Sequence, residues 1–178
     1  MNSPGPVLGF AAFSGTGKTT LLKQLIPLLA ERGVRVSVIK HAHHNFDIDK
    51  PGKDSYELRK AGARQMLVAS GRRWALMTET EGDADPGQDS LIGHLDADGI
   101  DLVLVEGFKH VPFPRIELHR PSLGYSLLHP EDRNIIAVAS DEPVETGDLP
   151  RLDLNNAAAI AEFILAWLEE QDDNARKK

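Results

Sequence analysis

Short apolar runs alternate along this chain with stretches that carry apolar residues at helical spacing. The runs predicted to be strands are 7–13, 35–40, 102–105, 115–119 and 135–139. A helix is expected over about 18–31, a second begins near Asp54, and a last one begins at Asn155 or Asn156 with apolar residues spaced three and four apart. This alternation is typical of an α/β fold, in which helices cover a mostly parallel sheet in a three-layer sandwich.

One pair of strands breaks the alternation. The runs Gln65–Ala69 and Arg73–Thr78 are separated only by Ser70-Gly71-Arg72. Because a parallel crossover needs a dozen or more residues, this pair should form an antiparallel hairpin. We therefore expect a mixed sheet that includes the hairpin.

Length and composition describe an ordinary globular protein. The chain has 178 residues, of which 41% are hydrophobic and 26% charged, and it carries a formal net charge of −7. We expect one domain over residues 1–171 and a frayed tail over 172–178. The acidic balance, without a basic run, argues against non-specific binding to nucleic acid. No cysteine, signal peptide or membrane-spanning stretch is present in the sequence, so a cytoplasmic protein is expected.

The segment between the first strand and the first helix reads as a phosphate-binding loop, with Ala12 where the usual pattern has glycine. Glycines allow successive backbone N–H groups to turn toward phosphate oxygens at a helix N-terminus. Lys18 can reach the β- and γ-phosphates of a nucleoside triphosphate, and the Thr19 hydroxyl can coordinate Mg²⁺. The residues assigned to nucleotide binding are Ser14, Gly15, Thr16, Gly17, Lys18, Thr19 and Thr20.

A second acidic signal ends the most apolar strand, where Glu106 follows Leu102–Val105. Ligands bind at the carboxyl ends of parallel strands, so Glu106 is a candidate to hold Mg²⁺ or to polarise the attacking water. With Lys18 it makes up the predicted catalytic pair.

The loop after the second strand carries His41, His43 and His44, followed by Asp47 and Asp49. The two aspartates alternate around Ile48 and can share a face toward Mg²⁺, which makes the predicted metal ligands Thr19, Asp47, Asp49 and Glu106. The histidines suggest a metal site or a segment that responds to the γ-phosphate. The alternative is a solvated loop whose histidines hydrogen-bond locally.

The base of the nucleotide has no clear reader in the sequence. The Asn-Lys-x-Asp element that reads guanine in many GTPases is absent. Asp141 follows the strand 135–139, and its carboxylate can accept from both N1–H and N2–H₂ of guanine. A plain turn before Pro143 is the alternative.

Taken together, these segments resemble the molybdopterin-guanine dinucleotide biosynthesis protein B (MobB) family of P-loop GTPases. The segments that carry the resemblance are 14–21, Ile39–His44, Asp47–Tyr56, Trp74–Glu79 and Val105–Lys109. The resemblance implies a homodimer that binds GTP with Mg²⁺, using Gly15 to Thr20 for the phosphates, and hydrolyses it slowly. It also implies a partner, the molybdenum cofactor guanylyltransferase that attaches GMP to molybdopterin, and leaves open whether molybdopterin touches this chain.

Two other classes of protein share parts of this pattern. A small-molecule kinase has the same loop but adds an arginine-bearing lid, and Arg72 and Arg73 at a hairpin turn make a poor one. A metal-inserting GTPase would use the His41–His44 segment. Enzymatic activity therefore stays open at this point, with weak NTP hydrolysis expected.

Overall fold

The computed structural model of the protein describes residues 5–42, 46–80, 87–108 and 111–177, and its elements follow the predicted alternation. The strands are β1 (Val7–Ala11), β2 (Val36–Lys40), β3 (Gln65–Ala69), β4 (Trp74–Thr78), β5 (Leu102–Glu106), β6 (Arg115–His119), β7 (Ile135–Ser140) and β8 (Arg151–Asp153). The helices are α1 (Lys18–Glu31), α2 (Asp54–Lys60), α3 (Gln88–Ile92) and α4 (Ala157–Arg176). The α/β class is therefore confirmed.

Six strands form the main sheet, in the order β2-β5-β1-β6-β7-β8, and every pair in it is parallel. The hairpin of β3 and β4 is antiparallel, as predicted, but it forms a two-stranded sheet of its own. The expectation of one mixed sheet was wrong, because the hairpin belongs to a separate compact unit of the chain.

The larger unit comprises residues 1–41 and 88–178 and has a layered apolar core. Alternate residues of its strands point to opposite faces of the sheet. Leu8 and Leu104 pack with the leucines of α1 and the apolar stripe of α4 on one face. Val103 and Val105 pack on the other face with Phe113 and with Leu91 of α3. These two clusters give the three predicted layers.

The smaller unit, residues 42–87, contains α2 and the hairpin. Among its described residues only Arg59 is buried, with 7% of its surface exposed. The prediction of one domain over 1–171 stays a prediction, because grouping by contacts does not by itself define units that fold independently.

The carboxyl-terminal part of the chain departs from expectation in two places. The short strand β8 has only three residues and was not predicted. Helix α4 begins after Asn156, whose side chain caps it by accepting from the N–H of Ala159, and continues to Arg176. Residues 172–176 are therefore helical, where a frayed tail was expected. Within the described ranges, no helix combines the length and the apolar character that crossing a bilayer requires.

Candidate functional site

The loop between β1 and α1 turns at two glycines whose backbone conformation other residues rarely adopt. Gly15 and Gly17 have φ values of 83° and 99°, in the left-handed region that favours glycine. Thr16 lies between them and is pinned, since its Oγ1 donates to the carbonyl of Phe13 at 2.8 Å. A Cβ added at Gly15 would meet nothing within 4 Å, so the loop borders open space.

The predicted nucleotide-binding side chains surround one cavity of about 300 Å³, lined by residues 13–20 and by Glu106. The ammonium group of Lys18 lies 3.3 Å from the carbonyl of Ala12, to which it donates. Thr19 and Thr20 are exposed at the start of α1. An ammonium group, hydroxyls and a helix N-terminus around one open cavity suit a nucleoside triphosphate, and the nearby carboxylate suits its magnesium ion.

Strand β5, which lies between β2 and β1 in the sheet, delivers Glu106 to this cavity. Glu106 lies in register with Phe10 of β1 and Lys40 of β2, and the Lys40 ammonium is 3.8 Å from its carboxylate. The chain then turns at Gly107, where φ is 105°. A Cβ there would lie 2.6 Å from Cβ of His41, so only glycine permits this turn. The tight turn fixes the place where Glu106 leaves the sheet.

Asp47 and Asp49 lie in the smaller unit and are held by Arg59. Both carboxylates accept from its Nη2 at 2.6 Å, and Glu79 accepts from Nη1 at 2.5 Å. Hydrogen bonding from Arg59 lowers the pKa of Asp49, although burial opposes the shift, and the same carboxylates raise the pKa of Arg59. Their assignment as magnesium ligands stays a prediction, and an ion binding there has to compete with Arg59.

The histidine hypothesis rests largely on residues outside the described ones. His43 and His44 fall in the gap at 43–45, and only His41 of that set is described, with its ring 4.8 Å from that of Phe108. Over the ranges that the structure describes, no group of three or more histidine, cysteine, aspartate or glutamate side chains is arranged to hold a metal.

Arg120 is a site residue that the sequence analysis missed. It directly follows β6, and its Nε donates to the carbonyl of Thr16 in the phosphate loop at 3.0 Å. Its Nη1 donates to Asp141, the candidate guanine reader. Asp141 thus lies near the loop, but one of its oxygens is engaged by Arg120. The available signal was an arginine at the carboxyl end of a predicted strand, where ligands bind.

The segment after β6 braces the loop from a second point. The ring of Tyr125 stacks on that of Phe13 with the centroids 4.3 Å apart. Glu117, only 1% exposed, accepts from the backbone N–H groups of Leu128 and His129 at 2.7 and 2.9 Å. These hydrogen bonds satisfy a buried carboxylate and fix the segment that carries Tyr125.

The fold and the loop place this chain in the P-loop class of α/β proteins. The sequence profile of the MobB family, molybdopterin guanine dinucleotide synthesis protein B, matches residues 7–141. The chain is 52% identical to a molybdopterin-guanine dinucleotide biosynthesis adapter protein of Escherichia coli (strain K12), over 94% of this chain and 95% of that protein. A protein of the same description from Haemophilus influenzae is 48% identical, over 94% of this chain and 92% of that one.

A solved structure is similar as well. A crystal structure of molybdopterin-guanine biosynthesis protein B (mobB) superimposes with a TM-score of 0.71 at 29% identity, covering 90% of this chain and 99% of that chain. The chain therefore belongs to the MobB family of molybdopterin-guanine dinucleotide biosynthesis adapter proteins.

Proposed function

We propose that this chain is a GTP-binding adapter with weak GTPase activity, which assists a partner guanylyltransferase in attaching GMP to molybdopterin. The observation that carries the proposal is the single cavity that Lys18, Thr19 and Glu106 line together with the glycine loop. The role in molybdopterin-guanine dinucleotide biosynthesis is inferred from the similar proteins. The binding of a nucleotide is inferred from the chemistry of the glycine loop.

The side chains of the cavity divide the work of holding a triphosphate. Backbone N–H groups of the loop, other than that of Thr16, which donates to the carbonyl of Phe13, would donate to phosphate oxygens. The Lys18 ammonium would neutralise charge on the β- and γ-phosphates. Bound Mg²⁺ would further neutralise the phosphates, with the Thr19 hydroxyl and, through water, Glu106 as its protein ligands. Glu106 is also placed to orient a water molecule for hydrolysis.

Slow hydrolysis is expected because Arg120, which contacts the phosphate loop, is already engaged by other groups of the protein. An arginine that contacts the γ-phosphate accelerates hydrolysis by about 10³–10⁵ in GTPases. Arg120 is instead occupied by the carbonyl of Thr16 and by Asp141. Its role is to hold the loop, and the chain then suits a binding role better than rapid turnover.

The hairpin supports a homodimer. Cross-strand register places Leu67, Leu76 and Trp74 on one face, and these side chains are 56%, 41% and 67% exposed. Large exposed apolar side chains on one face mark an interaction surface, and we assign it to a second copy of this chain. Trp74→Glu should convert the dimer to monomer in light scattering at micromolar concentration, whereas Arg72→Glu at the same hairpin should not. A wild type that is monomeric there would refute the dimer.

Titration calorimetry with GTP and ATP, with and without Mg²⁺, tests the nucleotide proposal. Wild type should prefer GTP in the presence of Mg²⁺, and Lys18→Ala should bind it about tenfold to a hundredfold more weakly. Lys23→Ala removes an exposed lysine of the same helix and should bind as wild type does. Preference for ATP, or equal binding by Lys18→Ala, would overturn the proposal.

A further inference from the structure

A second depression, of about 290 Å³, opens on the same glycine loop. Its lining includes Gly15, Gly17 and Thr20, which also line the cavity that contains Lys18 and Glu106. The remaining lining residues are Leu21, Gln24, Arg120, Leu154 and Asn155. A ligand whose phosphates lie on the loop can therefore extend into this depression without leaving the protein surface.

The lining of this depression suits a flat heterocycle better than another phosphate. Leu21 and Leu154 are only 4% and 5% exposed and form an apolar floor of the depression. Thr20, Gln24 and Asn155 are exposed at its rim, and none of these three side chains hydrogen-bonds to another residue within the described ranges. An apolar surface with a few uncommitted polar groups is typical of small-molecule sites.

Arg120 forms one wall and is held in place. Its guanidinium is anchored by the carbonyl of Thr16 and by the carboxylate of Asp141. Oδ2 of that carboxylate serves Arg120, so Asp141 positions this wall. Its Oδ1 is buried and has no hydrogen-bond partner among the described residues, so Asp141 also stays a candidate to accept from the base.

Asn155 is presented on a rigid turn. Its backbone N–H donates to the side chain of Asp153 at 2.8 Å, and the next residue, Asn156, caps α4. Its own carboxamide is left to face the depression, which it lines. A carboxamide both donates and accepts, and so it can match a guanine edge, which carries an acceptor at O6 and donors at N1 and N2.

We propose that the guanine base of the nucleotide lies in this depression, where Asn155 and Gln24 hydrogen-bond to it. The inference rests on the proposed binding of GTP and adds where the base lies and which residues recognise it. It adds to Asp141 two further readers, one from the β8–α4 turn and one from α1.

Calorimetry with two ligands separates the contribution of the base to the binding affinity from that of the phosphates. The ligands are GTP and inorganic tripolyphosphate, both with Mg²⁺, and the variants are Asn155→Ala and Gln24→Ala. Each variant should bind GTP about fivefold to tenfold more weakly than wild type, because one hydrogen bond to the base is lost. Each variant should bind tripolyphosphate with the same affinity as wild type. Asn174→Ala, an exposed asparagine of α4, is the matched control and should change neither affinity.

The outcomes distinguish the two proposals. Unchanged GTP affinity in both variants would overturn the base site while leaving GTP binding intact. Equal losses for GTP and tripolyphosphate would overturn it too, because the substitutions would then disturb the phosphate loop. A wild type that binds tripolyphosphate and GTP equally well excludes any base site, and one that binds neither refutes the proposed function itself.

Discussion

The two compact units of this chain are organised around opposite kinds of residue. In the larger unit, Leu8, Leu104 and Ile116 are fully buried at the centre of a parallel sheet. In the smaller unit, the buried residue among those described is Arg59, which three carboxylates surround. One unit is held by apolar packing and the other by an ion cluster.

This difference indicates what each unit contributes. Burial of apolar surface stabilises a fold by about 25 cal/mol per Å². In a buried ion pair, the cost of desolvating the two charges offsets much of their attraction. The larger unit can therefore hold the phosphate loop and Glu106 in fixed positions. The smaller unit keeps Leu67 and Trp74 exposed and so has apolar surface available for a partner.

The same substitution, leucine to alanine, made once in each unit tests most sharply whether only the larger unit has an apolar core. Leu104→Ala removes a side chain that is 0% exposed and should lower the free energy of unfolding by about 2–5 kcal/mol, through lost transfer energy and a cavity. Leu67→Ala, at a side chain that is 56% exposed, should change it by no more than about 0.5 kcal/mol. Urea unfolding at a concentration where the chain is monomeric measures both. Equal losses would show that the smaller unit has an apolar core after all.

Arg59→Ala tests whether the ion cluster organises the smaller unit. The substitution leaves Asp47, Asp49 and Glu79 facing one another without the cation that they share. We expect backbone amides of α2 to exchange hydrogen about tenfold faster or more, while amides of β1 and β5 keep their protection. Arg72→Ala removes an exposed arginine of the same unit and should leave exchange unchanged. Wild-type exchange in Arg59→Ala would mean that something other than the cluster holds α2.

The sequence predicted the parts of the site that a strand–loop–helix pattern determines. Lys18, Thr19 and Glu106 line one cavity because parallel strands end at one edge of a sheet, and that edge can be inferred from the order of apolar runs. The hairpin was also predictable, since its three-residue connection permits only antiparallel pairing.

Other features depend on tertiary contacts whose partners the local sequence does not specify. Arg120 reaches Thr16 across 104 positions of sequence, and nothing near either residue predicts that hydrogen bond. Strand β8 is three residues long, too short for a periodic pattern to distinguish it from a turn. The hairpin forms a sheet of its own, and the local pattern of its strands does not encode which sheet they join.

The smallest change in the free energy of unfolding is expected from an ion pair at the surface of the larger unit. Arg35 donates to both oxygens of Asp101, with Nη2 to Oδ1 at 2.8 Å and Nε to Oδ2 at 2.9 Å, and lies where the chain enters β2. Hydrogen bonds from the side chain and backbone of Arg35 lower the pKa of Asp101 to about 2. The Asp101 side chain is 37% exposed and that of Arg35 is 59% exposed, so solvent screens the pair.

A lowered carboxyl pKa means that the pair stabilises the folded state above the ordinary pKa of about 3.9, and that this contribution is lost as the pH falls toward about 2. Asp101→Asn should therefore lower the free energy of unfolding at pH 7 by no more than about 1 kcal/mol. The difference from wild type should shrink below about pH 4. Asp148→Asn, at an exposed aspartate without a described partner, is the control and should leave the free energy of unfolding at pH 7 unchanged. A difference that persists unchanged at low pH would mean that Asp101 acts by packing. Charge would then contribute even less to the stability of the larger unit than we infer from its apolar core.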